Sequence, residues 1–539
     1  MIKRKGKMKT KKWIKASMLL IVATLFAACA NEDVAQDKKK ENGTETPKGG
    51  VVFATNDTKI SAKRRFIDED EFAGAKTRTD IKHTPGQGAE AYWTSDDFIW
   101  VKDKNGTWQK STAITLHDGG ASAEFTLPGS KADYADGCEV HYTGTSVTLF
   151  GAYINPQSVG MYAKQTRTTA NDFSKAGEWG DCGSGRARNT GNPDKFNFTL
   201  SHKSAYLCFL PRCENATLSA NIRLESIKIT AAHEDRFADL CHFDGENLTT
   251  PGSPFNWDYI HVDLPDFKLE TEANQALNAT YIVVRPGTYD FTIEYTIKDP
   301  TTNLKTVITD TKTNITLDKG NIYDVTADLS PAMPKYCMWD AKYDYWYNHL
   351  KADGTPDGNY AQNNSDPRWY REGSHIRIDA TKSCKDCPNV NEMCWYVFNG
   401  DPHWGTSIVA LDGHLQQMNG IWLKKKAKIM ADEGITEEQM KNGYPKISPT
   451  DYRMLQFGWG SVTPNSAPIP PNDANYFFLP ALGRYYYGSL ENLGSKGGYW
   501  TSSASAGLGE LSYYLDFKSD AINIYFNNRN IGFSVVAFE

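Results

Sequence analysis

The clearest β-strand in this sequence is Phe291-Thr292-Ile293-Glu294-Tyr295-Thr296-Ile297-Lys298. Apolar and polar residues alternate along it, so an extended chain would have one apolar face and one solvated face. The dipeptide Asp299-Pro300 ends the strand, and a second strand near residues 304–310 is predicted to return after the turn. This pattern predicts sheets rather than helices for the surrounding part of the chain.

The same signals recur from residue 51 to about residue 329, where short alternating runs are bounded by Gly, Asn, Asp and Pro. For example, Phe98-Ile99-Trp100-Val101 leads into Lys104-Asn105-Gly106, which is typical of a strand followed by a hairpin turn. No long helical period interrupts these runs, and strands without helices form sandwiches or barrels. The length predicts two tandem β-sandwiches, residues 51–212 and 213–330.

Residues 331–539 differ in composition from the preceding part of the chain. They contain 8 of the 14 Trp and 17 of the 28 Tyr, which predicts a separate domain after the proline-flanked residues 330–334. A helix is predicted over residues 436–443, because Thr436 and Gln439 have capping-box spacing and Gly443 can adopt the left-handed conformation that ends a helix. A further short helix is predicted near Asn391.

The first 28 residues have the organisation of an export signal. Eight basic residues and no acidic residue precede an apolar run over residues 16–28, which is too short to span a bilayer well. The run leads into Leu25-Phe26-Ala27-Ala28-Cys29, which resembles a bacterial lipobox and implies acylation of Cys29. Residues 29–50 are polar and lack aromatic residues, which predicts a flexible tether from a lipid anchor in the outer membrane.

The charge of the chain bears on the class of partner. The formal net charge is −6, although the export signal alone contributes eight basic residues, so the remainder is distinctly acidic. Non-specific nucleic-acid binding depends on basic patches, and we therefore expect no nucleic-acid partner. The acidic Glu32-Asp33 close behind Cys29 resembles the surface-export signal of lipoproteins from the Bacteroides group, which implies exposure at the cell surface.

Six short motifs between residues 51 and 330 follow one another in a defined order. They are Val51-Val52-Phe53-Ala54, Thr77-Arg78-Thr79, Tyr92-Trp93-Thr94-Ser95-Asp96-Asp97-Phe98-Ile99-Trp100-Val101, Leu200-Ser201-His202-Lys203, Arg285-Pro286-Gly287-Thr288-Tyr289 and Gly320-Asn321-Ile322-Tyr323-Asp324-Val325. Together with the lipoprotein start, they resemble the fimbrillin-like family, the pilin subunits of type V pili in the Bacteroides group. The resemblance implies two tandem β-sandwiches with transthyretin-like topology.

The same resemblance implies assembly with other pilin subunits by strand exchange. The first strand, here including residues 51–54, would be cut off after an arginine and replaced by a strand of a neighbouring subunit, which is a form of β-augmentation. Arg64, Arg65 and Arg78 are the candidates for the proteolytic maturation site. The alternative is that Arg78 is an ordinary solvated loop residue with no role in maturation, because loops carry most exposed charge.

The last domain carries a second ordered set of motifs. They are Cys387-Pro388-Asn389-Val390-Asn391-Glu392-Met393, Gly400-Asp401-Pro402-His403-Trp404, Gly420-Ile421-Trp422-Leu423, Phe477-Phe478-Leu479-Pro480-Ala481-Leu482-Gly483, Gly498-Tyr499-Trp500-Thr501-Ser502-Ser503, Tyr514-Leu515-Asp516-Phe517 and Asn528-Arg529-Asn530-Ile531-Gly532-Phe533-Ser534-Val535. This order resembles the major paralogous domain of Fibrobacter and Bacteroides surface proteins. The resemblance implies an α+β C-type-lectin-like fold over residues 331–539.

Clustered aromatic residues in the last domain are candidates for binding a ligand. The candidate ligand-binding residues are Tyr345, Trp346, Tyr485, Tyr486 and Tyr487. Exposed Trp and Tyr anchor protein partners and provide flat platforms for sugars, but the same residues also dominate cores. Three consecutive tyrosines on a strand cannot all point inward, which favours at least one exposed ring.

The chain contains nine cysteines besides Cys29. Exported proteins meet oxidising conditions, so Cys384, Cys387, Cys394 and Cys337 are candidates for disulfides. The alternative is a zinc site formed by Cys384, Cys387 and Cys394 with His403. We expect no cofactor and no metal, and no enzyme activity, because the sequence contains no catalytic triad order, no HExxH motif and no Gly-rich phosphate loop.

These observations predict a surface-exposed outer-membrane lipoprotein that acts as a type V pilus subunit. The chain continues for some 200 residues past the second sandwich, so its terminal strand is not expected to serve as a donor. The prediction is therefore a tip adhesin that binds a host, bacterial or glycan ligand through its last domain. The alternative is a surface lipoprotein that binds glycan or protein without polymerising, and the least favoured hypothesis is an exported enzyme.

Overall fold

The computed structural model describes residues 50–55, 64–66, 80–86, 88–145, 148–149, 152–153, 155–233, 235–250, 257–331, 335–351, 354–373, 377–456, 461–467, 469 and 473–538. The predicted export signal, Cys29, residues 29–49 of the predicted tether, and Arg78 lie outside these residues. Strands account for 46% and helices for 10% of the described residues, which confirms the mostly β fold. Among the residues listed above, no helix is both long and apolar enough to cross a membrane.

Eighteen strands precede residue 213 in the described residues. They are β1 (Gly50–Thr55), β2 (Arg64–Phe66), β3 (Asp80–Thr84), β4 (Gly88–Tyr92), β5 (Trp100–Lys102), β6 (Trp108–Lys110), β7 (Ala113–His117), β8 (Ser122–Pro128), β9 (Glu139–Tyr142), β10 (Thr148–Leu149), β11 (Ala152–Tyr153), β12 (Ser158–Gly160), β13 (Lys164–Thr166), β14 (Gly183–Arg186), β15 (Arg188–Asn189), β16 (Lys195–Phe198), β17 (Ser201–His202) and β18 (Ala205–Arg212).

The middle part of the chain is also composed mainly of strands. It contains α1 (Ala216–Asn221), β19 (Arg223–Ala231), β20 (Leu240–Phe243), β21 (Leu248–Thr249), β22 (Tyr259–Lys268), α2 (Gln275–Asn278), β23 (Thr280–Val284), β24 (Gly287–Asp299), β25 (Leu304–Leu317), β26 (Ile322–Asp328) and β27 (Lys335–Cys337).

The last part of the chain mixes helices and strands. It contains α3 (Val390–Asn399), β28 (His403–Leu411), β29 (His414–Lys424), α4 (Lys426–Glu433), α5 (Glu437–Asn442), β30 (Tyr476–Pro480), β31 (Arg484–Tyr486), β32 (Ser489–Glu491), β33 (Lys496–Ala504), β34 (Leu511–Lys518), β35 (Ala521–Asn528) and β36 (Phe533–Val535). Short 3₁₀ turns occur at Asp118–Gly120, Lys131–Asp133 and Tyr452–Met454.

The first sandwich consists of two five-stranded sheets, in the orders β15-β16-β1-β8-β7 and β17-β14-β9-β5-β6. Its core contains side chains of both sheets, including Phe53 of β1, Phe125 of β8 and Val140 of β9. The strand β1 is the third of five in its sheet, so it has a partner on each side.

The second sandwich is formed by the sheets β13-β22-β19-β24-β25 and β2-β26-β18-β23. The alternation predicted for residues 291–298 is confirmed, because Phe291, Ile293, Tyr295 and Ile297 are all buried while the intervening residues are half-buried. The predicted return strand near residues 304–310 is also confirmed, and it extends to Leu317 as β25.

The strand β18 clarifies the boundary between the two sandwiches. It pairs in parallel with β26 and antiparallel with β23, both of which lie after residue 213. A boundary at 212–213 would separate β18 from its own sheet, so this pairing favours a boundary near residue 204. Seven of the eight residues of β18 are buried, as expected for a strand in the interior of a sandwich.

The part of the chain after residue 334 is an α+β assembly. Its sheets have the orders β27-β36-β33-β34-β35 and β28-β29-β30, and α3 packs on the core that they share. The predicted helix at residues 436–443 is confirmed as α5, with reciprocal capping between Thr436 and Gln439. Gly443, however, has φ 170°, which is extended backbone, so the predicted left-handed ending is wrong; Gly434, which follows α4, has φ 61°.

The hairpin of β28 and β29 joins the last part of the chain to the second sandwich. Leu415 and Ala410 belong to the same buried apolar cluster as the core of that sandwich. At the tip, the buried carboxylate of Asp299 accepts hydrogen bonds from His414 Nδ1 (2.9 Å) and from the Leu415 N–H (3.1 Å). The amide of Asn221 donates to the Gly413 carbonyl at 2.9 Å. The contact therefore combines apolar packing with a buried polar anchor.

We expect Asp299→Asn to destabilise the protein by about 1–3 kcal/mol at neutral pH, since an amide cannot satisfy the same set of donors. Burial raises the pKa of the Asp299 carboxyl, but hydrogen bonds from His414, Thr301, Leu415 and Thr302 together lower it below its ordinary value of 3.8. A carboxyl with a lowered pKa stabilises the fold above its unfolded-state pKa, and that stabilisation is lost as the pH falls through the folded-state pKa.

Urea unfolding of the wild type and Asp299→Asn between pH 7 and pH 2.5 measures this dependence. The difference between the two proteins should be full at neutral pH and shrink below about pH 4. The matched control is Asp520→Asn, because the Asp520 side chain is 69% exposed and its replacement should change stability little. If the difference in unfolding free energy between the wild type and Asp299→Asn did not change with pH, this role for the Asp299 carboxylate would be contradicted.

Candidate functional site

The first candidate site is the strand β1 and the two strands beside it. Val52–Thr55 pairs in parallel with residues 195–198 of β16, and Gly50–Ala54 pairs antiparallel with residues 124–128 of β8. Removal of β1 would leave two strands facing each other across a gap, each with unpaired backbone N–H and C=O groups. Such a gap accepts an extended segment by backbone hydrogen bonding.

The side chains of β1 fill the core beneath this gap. Val51 and Phe53 are 1% and 0% exposed. The Phe53 ring stacks on Phe196 with 4.9 Å between ring centroids, and it meets Tyr134 edge-on at 5.2 Å. Thr55 accepts a hydrogen bond from the Ala123 N–H through its Oγ1 (2.9 Å). An exchanged strand would therefore have to offer apolar side chains at alternate positions.

The chain connection of β1 is unusual for a central strand. The next strand along the chain, β2, lies at the edge of a sheet in the second sandwich and pairs in parallel with residues 322–324 of β26. The chain re-enters the first sandwich only at β5. A single cut between β2 and β3 would therefore release β1 and β2 together without breaking any later connection.

Two of the predicted maturation residues lie in the strand β2 itself. Arg64 and Arg65 pair with Ile322 and Tyr323, so a cut after either residue would divide a paired strand. Arg78 lies outside the described residues, two positions before β3 begins at Asp80. A cut after Arg78 would fall between the described strands β2 and β3.

The second candidate site is the aromatic region of the last domain. Tyr345 and Trp346 are buried, at 1% and 5% exposure. Tyr485 is half-buried and stacks on Tyr345 with 5.0 Å between ring centroids and an interplanar angle of 15°. Trp346 meets Tyr485 edge-on at 5.5 Å. All three side chains belong to, or pack against, one buried apolar cluster, which corresponds to the core-packing alternative for these residues.

Tyr486 and Tyr487 are the surface members of the set. They are 36% and 62% exposed and sit at the tip of the hairpin formed by β31 and β32. The tip is a two-residue turn with positive φ at Tyr487 (45°) and Gly488 (79°), a combination typical of a tight hairpin. A side chain at Gly488 would meet the Tyr360 ring at 2.7 Å, so glycine allows the turn to lie against that ring.

The hairpin tip forms one wall of a small cavity of about 160 Å³. Its aromatic lining consists of Tyr345, Tyr360, Trp369, Tyr486 and Tyr487, and its polar lining includes Gln362 and Asn530. Flat aromatic walls with a few amide groups are suited to stacking against a ring and hydrogen bonding its substituents. The sequence singled out the tyrosines, but Gln362, Trp369 and Asn530 carried no signal that joins them to this cavity.

The four cysteines that are candidates for disulfides are not joined in this structure, where all nine described cysteines are buried and free. Burial raises the pKa of the Cys384 thiol well above its usual range, and the neighbouring Cys387 thiol raises it further. Cys394 belongs to a different buried cluster from these two residues. Disulfides among Cys337, Cys384, Cys387 and Cys394 stay a prediction, with their connectivity open.

The alternative zinc site at Cys384, Cys387, Cys394 and His403 does not assemble among the described residues. The one group of three His, Cys, Asp or Glu side chains found there with ligand atoms mutually within 4.8 Å lies elsewhere, in the second sandwich. Cys394 and His403 are therefore separated from the Cys384–Cys387 pair.

The chain is similar to several solved structures at low identity. No family model matches the chain, and no curated protein matches it. Among solved structures, a protein provisionally described as a cell adhesion protein from Bacteroides ovatus has a TM-score of 0.29 and 14% identity, covering 51% of this chain and 93% of that chain. A similarly described protein from Bacteroides fragilis has a TM-score of 0.29 and 10% identity, covering 53% and 95% of the two chains. The fimbrial anchor protein Mfa2 from Porphyromonas gingivalis has a TM-score of 0.23 and 10% identity, covering 50% and 90%.

Proposed function

We propose that this protein is a cell-surface adhesion protein of the fimbrial type that exchanges its first strand for a strand of another subunit. The observation that carries the proposal is the topology of β1, which is central in its sheet and yet is released by one cut between β2 and β3. A central strand with this connection is removable without disturbing the chain path of the sandwich that it leaves. The same cut frees the edge of β26, so a second strand edge also becomes available for pairing.

The tip position in the fibre is part of the proposal. The strand β36 pairs with β27 and β33 inside its sheet, and the nearby Phe538 is 5% exposed. This strand is occupied and is not available to a neighbouring subunit. A subunit that can accept a strand, but whose last described strand is already paired within its own sheet, can receive a neighbour without donating to another. We therefore propose that it lies at the end of a fibre. Acylation of Cys29 and anchoring in the outer membrane belong to the same proposal and rest on the sequence pattern of residues 1–50.

Immunogold electron microscopy of intact producing cells tests the assembly, with antibody raised against residues 336–539. Gold at the ends of filaments is the expected result. Gold spread evenly over cells without filaments would contradict the fimbrial role and would favour a binding protein that does not polymerise. Label that appears only after permeabilisation would contradict the surface location.

We further propose that the exposed hairpin of Tyr486 and Tyr487 contacts the ligand, and that Tyr345, Trp346 and Tyr485 support it from below. Arg484 lies 5.0 Å from the centroid of the Tyr486 ring and pairs with Glu491 (3.0 Å), which orients the hairpin. Rings held in this way provide contact area with little loss of conformational freedom on binding. A glycan or a protein partner with an exposed ring is the ligand class that fits the cavity.

Tyr487→Ala should weaken ligand binding by at least about tenfold, as expected for loss of a central aromatic anchor. The melting temperature should stay close to that of the wild type, because the side chain is mostly exposed. Binding of the full chain to an immobilised glycan panel and to host cells measures the change. Tyr525→Ala is the matched control, since Tyr525 is 50% exposed on β35 and does not line the cavity. Equal losses in the two variants would rule out the hairpin as the binding site.

A further inference from the structure

A compact group of metal-ligand side chains lies in the second sandwich, away from both candidate sites. Asp324 of β26 and Cys208 of β18 are directly paired in the parallel ladder, so their side chains lie on the same face of the sheet. His83 of β3 lies over that face. All three residues are buried: His83 is 7% exposed, Asp324 1% and Cys208 0%.

The ligand atoms of the three side chains are mutually within 4.8 Å. His83 Nε2 lies 2.6 Å from Asp324 Oδ1, and the Gly86 N–H donates to Asp324 Oδ2 at 3.1 Å. The backbone carbonyl of His83 accepts a hydrogen bond from Gln275 Nε2 at 2.7 Å. The carboxylate thus has a further hydrogen-bond donor, as is usual for a metal ligand, and the backbone of His83 is held in place as well.

We propose that His83, Cys208 and Asp324 bind a zinc ion. Imidazole nitrogen, thiolate sulfur and carboxylate oxygen are the donors that zinc takes in proteins, at about 2.0–2.3 Å. In a tetrahedral site with those bond lengths, neighbouring ligand atoms are about 3.3–3.8 Å apart. To reach that geometry, the His83–Asp324 contact of 2.6 Å would have to open, and the separations to the Cys208 sulfur, which are at most 4.8 Å, would have to come into the same range. Zinc replaces this hydrogen bond, and the Cys208 thiol releases its proton on binding.

A zinc ion at this site would attach the hairpin of β3 and β4 to the second sandwich. The hairpin of β3 and β4 pairs only with itself among the described strands, so no strand pairing attaches it to the sandwich. Ile81 and Ala89 of the hairpin enter the apolar core, and His83 reaches the sheet between them. A zinc ion bound by one hairpin residue and two sheet residues would fix the hairpin more strongly than the apolar contacts alone.

The ligands are dispersed in the sequence, at positions 83, 208 and 324, and no spacing motif connects them. All three ligands remain in the chain after a cut between β2 and β3. Because β2 pairs with β26 beside Asp324, the zinc test is made on the uncut chain, where it requires neither strand exchange nor ligand binding by the last domain. Its failure would leave the proposed function unaffected, and the converse also holds.

Metal binding by the purified full chain tests the proposal. The protein is stripped with a chelator, loaded with Zn²⁺, dialysed and analysed for bound metal. About one equivalent of zinc per chain is the expected result, together with a higher melting temperature than the stripped protein. Loading with Co²⁺ should give a thiolate-to-metal charge-transfer band, which reports a cysteine ligand directly.

Cys208→Ser should lose the charge-transfer band and bind zinc at least about tenfold more weakly, and His83→Asn should weaken zinc binding to a similar degree. Two controls should keep both signals. Cys241→Ser changes another buried cysteine of the same core, and Cys384→Ser with Cys387→Ser removes the adjacent pair of the last domain. Circular dichroism verifies that each variant is folded.

Three outcomes would overturn the proposal. They are a wild type without stoichiometric zinc, unchanged binding in folded Cys208→Ser or His83→Asn protein, and loss of the charge-transfer band in the Cys384→Ser and Cys387→Ser double variant. If Cys208→Ser does not fold, the proposal is tested by the other variants. His83→Asn removes one proposed ligand and should weaken zinc binding, whereas the Cys384→Ser and Cys387→Ser double variant removes none and should bind zinc like the wild type.

Discussion

Phe53→Ala should lower the free energy of unfolding of the first sandwich by about 3–5 kcal/mol. The Phe53 ring is fully buried between Phe196 and Tyr134, in a strand that is paired on both sides. Because β8 and β16 are held in register by that strand, they cannot move together to fill the cavity, and the cost lies at the upper end for a core truncation. Urea unfolding of the full chain, followed by aromatic fluorescence and circular dichroism, measures the loss.

Leu116→Ala is the matched control for this truncation. Leu116 lies on β7 in the same sheet, but its side chain is 39% exposed, so a change of about 0.5 kcal/mol or less is expected. Comparable losses in the two variants would mean that β1 does not form the centre of the sheet in solution.

The same strand can be tested as an exchangeable element. We consider a protein that has been cut between β2 and β3 and from which β1 has been removed. A synthetic peptide with the sequence of residues 50–55 should stabilise this protein. The corresponding peptide with Phe53→Ala should bind much more weakly, because the ring supplies most of the apolar surface that the strand buries. Equal binding of the two peptides would contradict the role of the core gap in strand exchange.

The sequence predicted those parts of the fold in which one face of an element is solvated. The strand β24 alternates because one face is buried and the other is not, and α5 has a recognisable cap at Thr436. The strand β18 lacks alternation because seven of its eight residues are buried, and its parallel partner β26 is more than 100 residues away. Periodicity therefore could not assign β18 to its sheet.

The aromatic site of the last domain could also be predicted only in part from the sequence. Five aromatic residues were singled out by type, but type does not distinguish a buried ring from an exposed one. Tyr345 is covered by Tyr485 and by the hairpin backbone, whose Gly488 N–H donates to the Tyr345 hydroxyl at 3.2 Å. Tyr487 is exposed because it occupies a turn with positive φ. Exposure is thus set by contacts between distant segments, which a local pattern does not encode.

Arg78→Ala should abolish removal of the first strand and formation of filaments, whereas Arg65→Ala should leave both unchanged. A protease binds its substrate as an extended, unpaired segment, and Arg65 lies in a strand that is paired with β26. Arg78 lies between β2 and β3, where a cut separates β1 and β2 from the rest of the chain at once. Mass spectrometry of the N-terminus of surface protein, together with electron microscopy of cells, measures the two effects.

Measurements on the purified, uncut Arg78→Ala protein distinguish a failure of strand exchange from a failure to fold. Since β1 still fills the gap between β8 and β16 in uncut protein, purified Arg78→Ala should be monomeric and should unfold at the same urea concentration as the wild-type precursor. Filaments in the Arg78→Ala strain, or their loss in the Arg65→Ala strain alone, would move the maturation site into β2. Such a cut would require β2 to leave the edge of β26 first, and strand release would then begin in the second sandwich rather than between the strands.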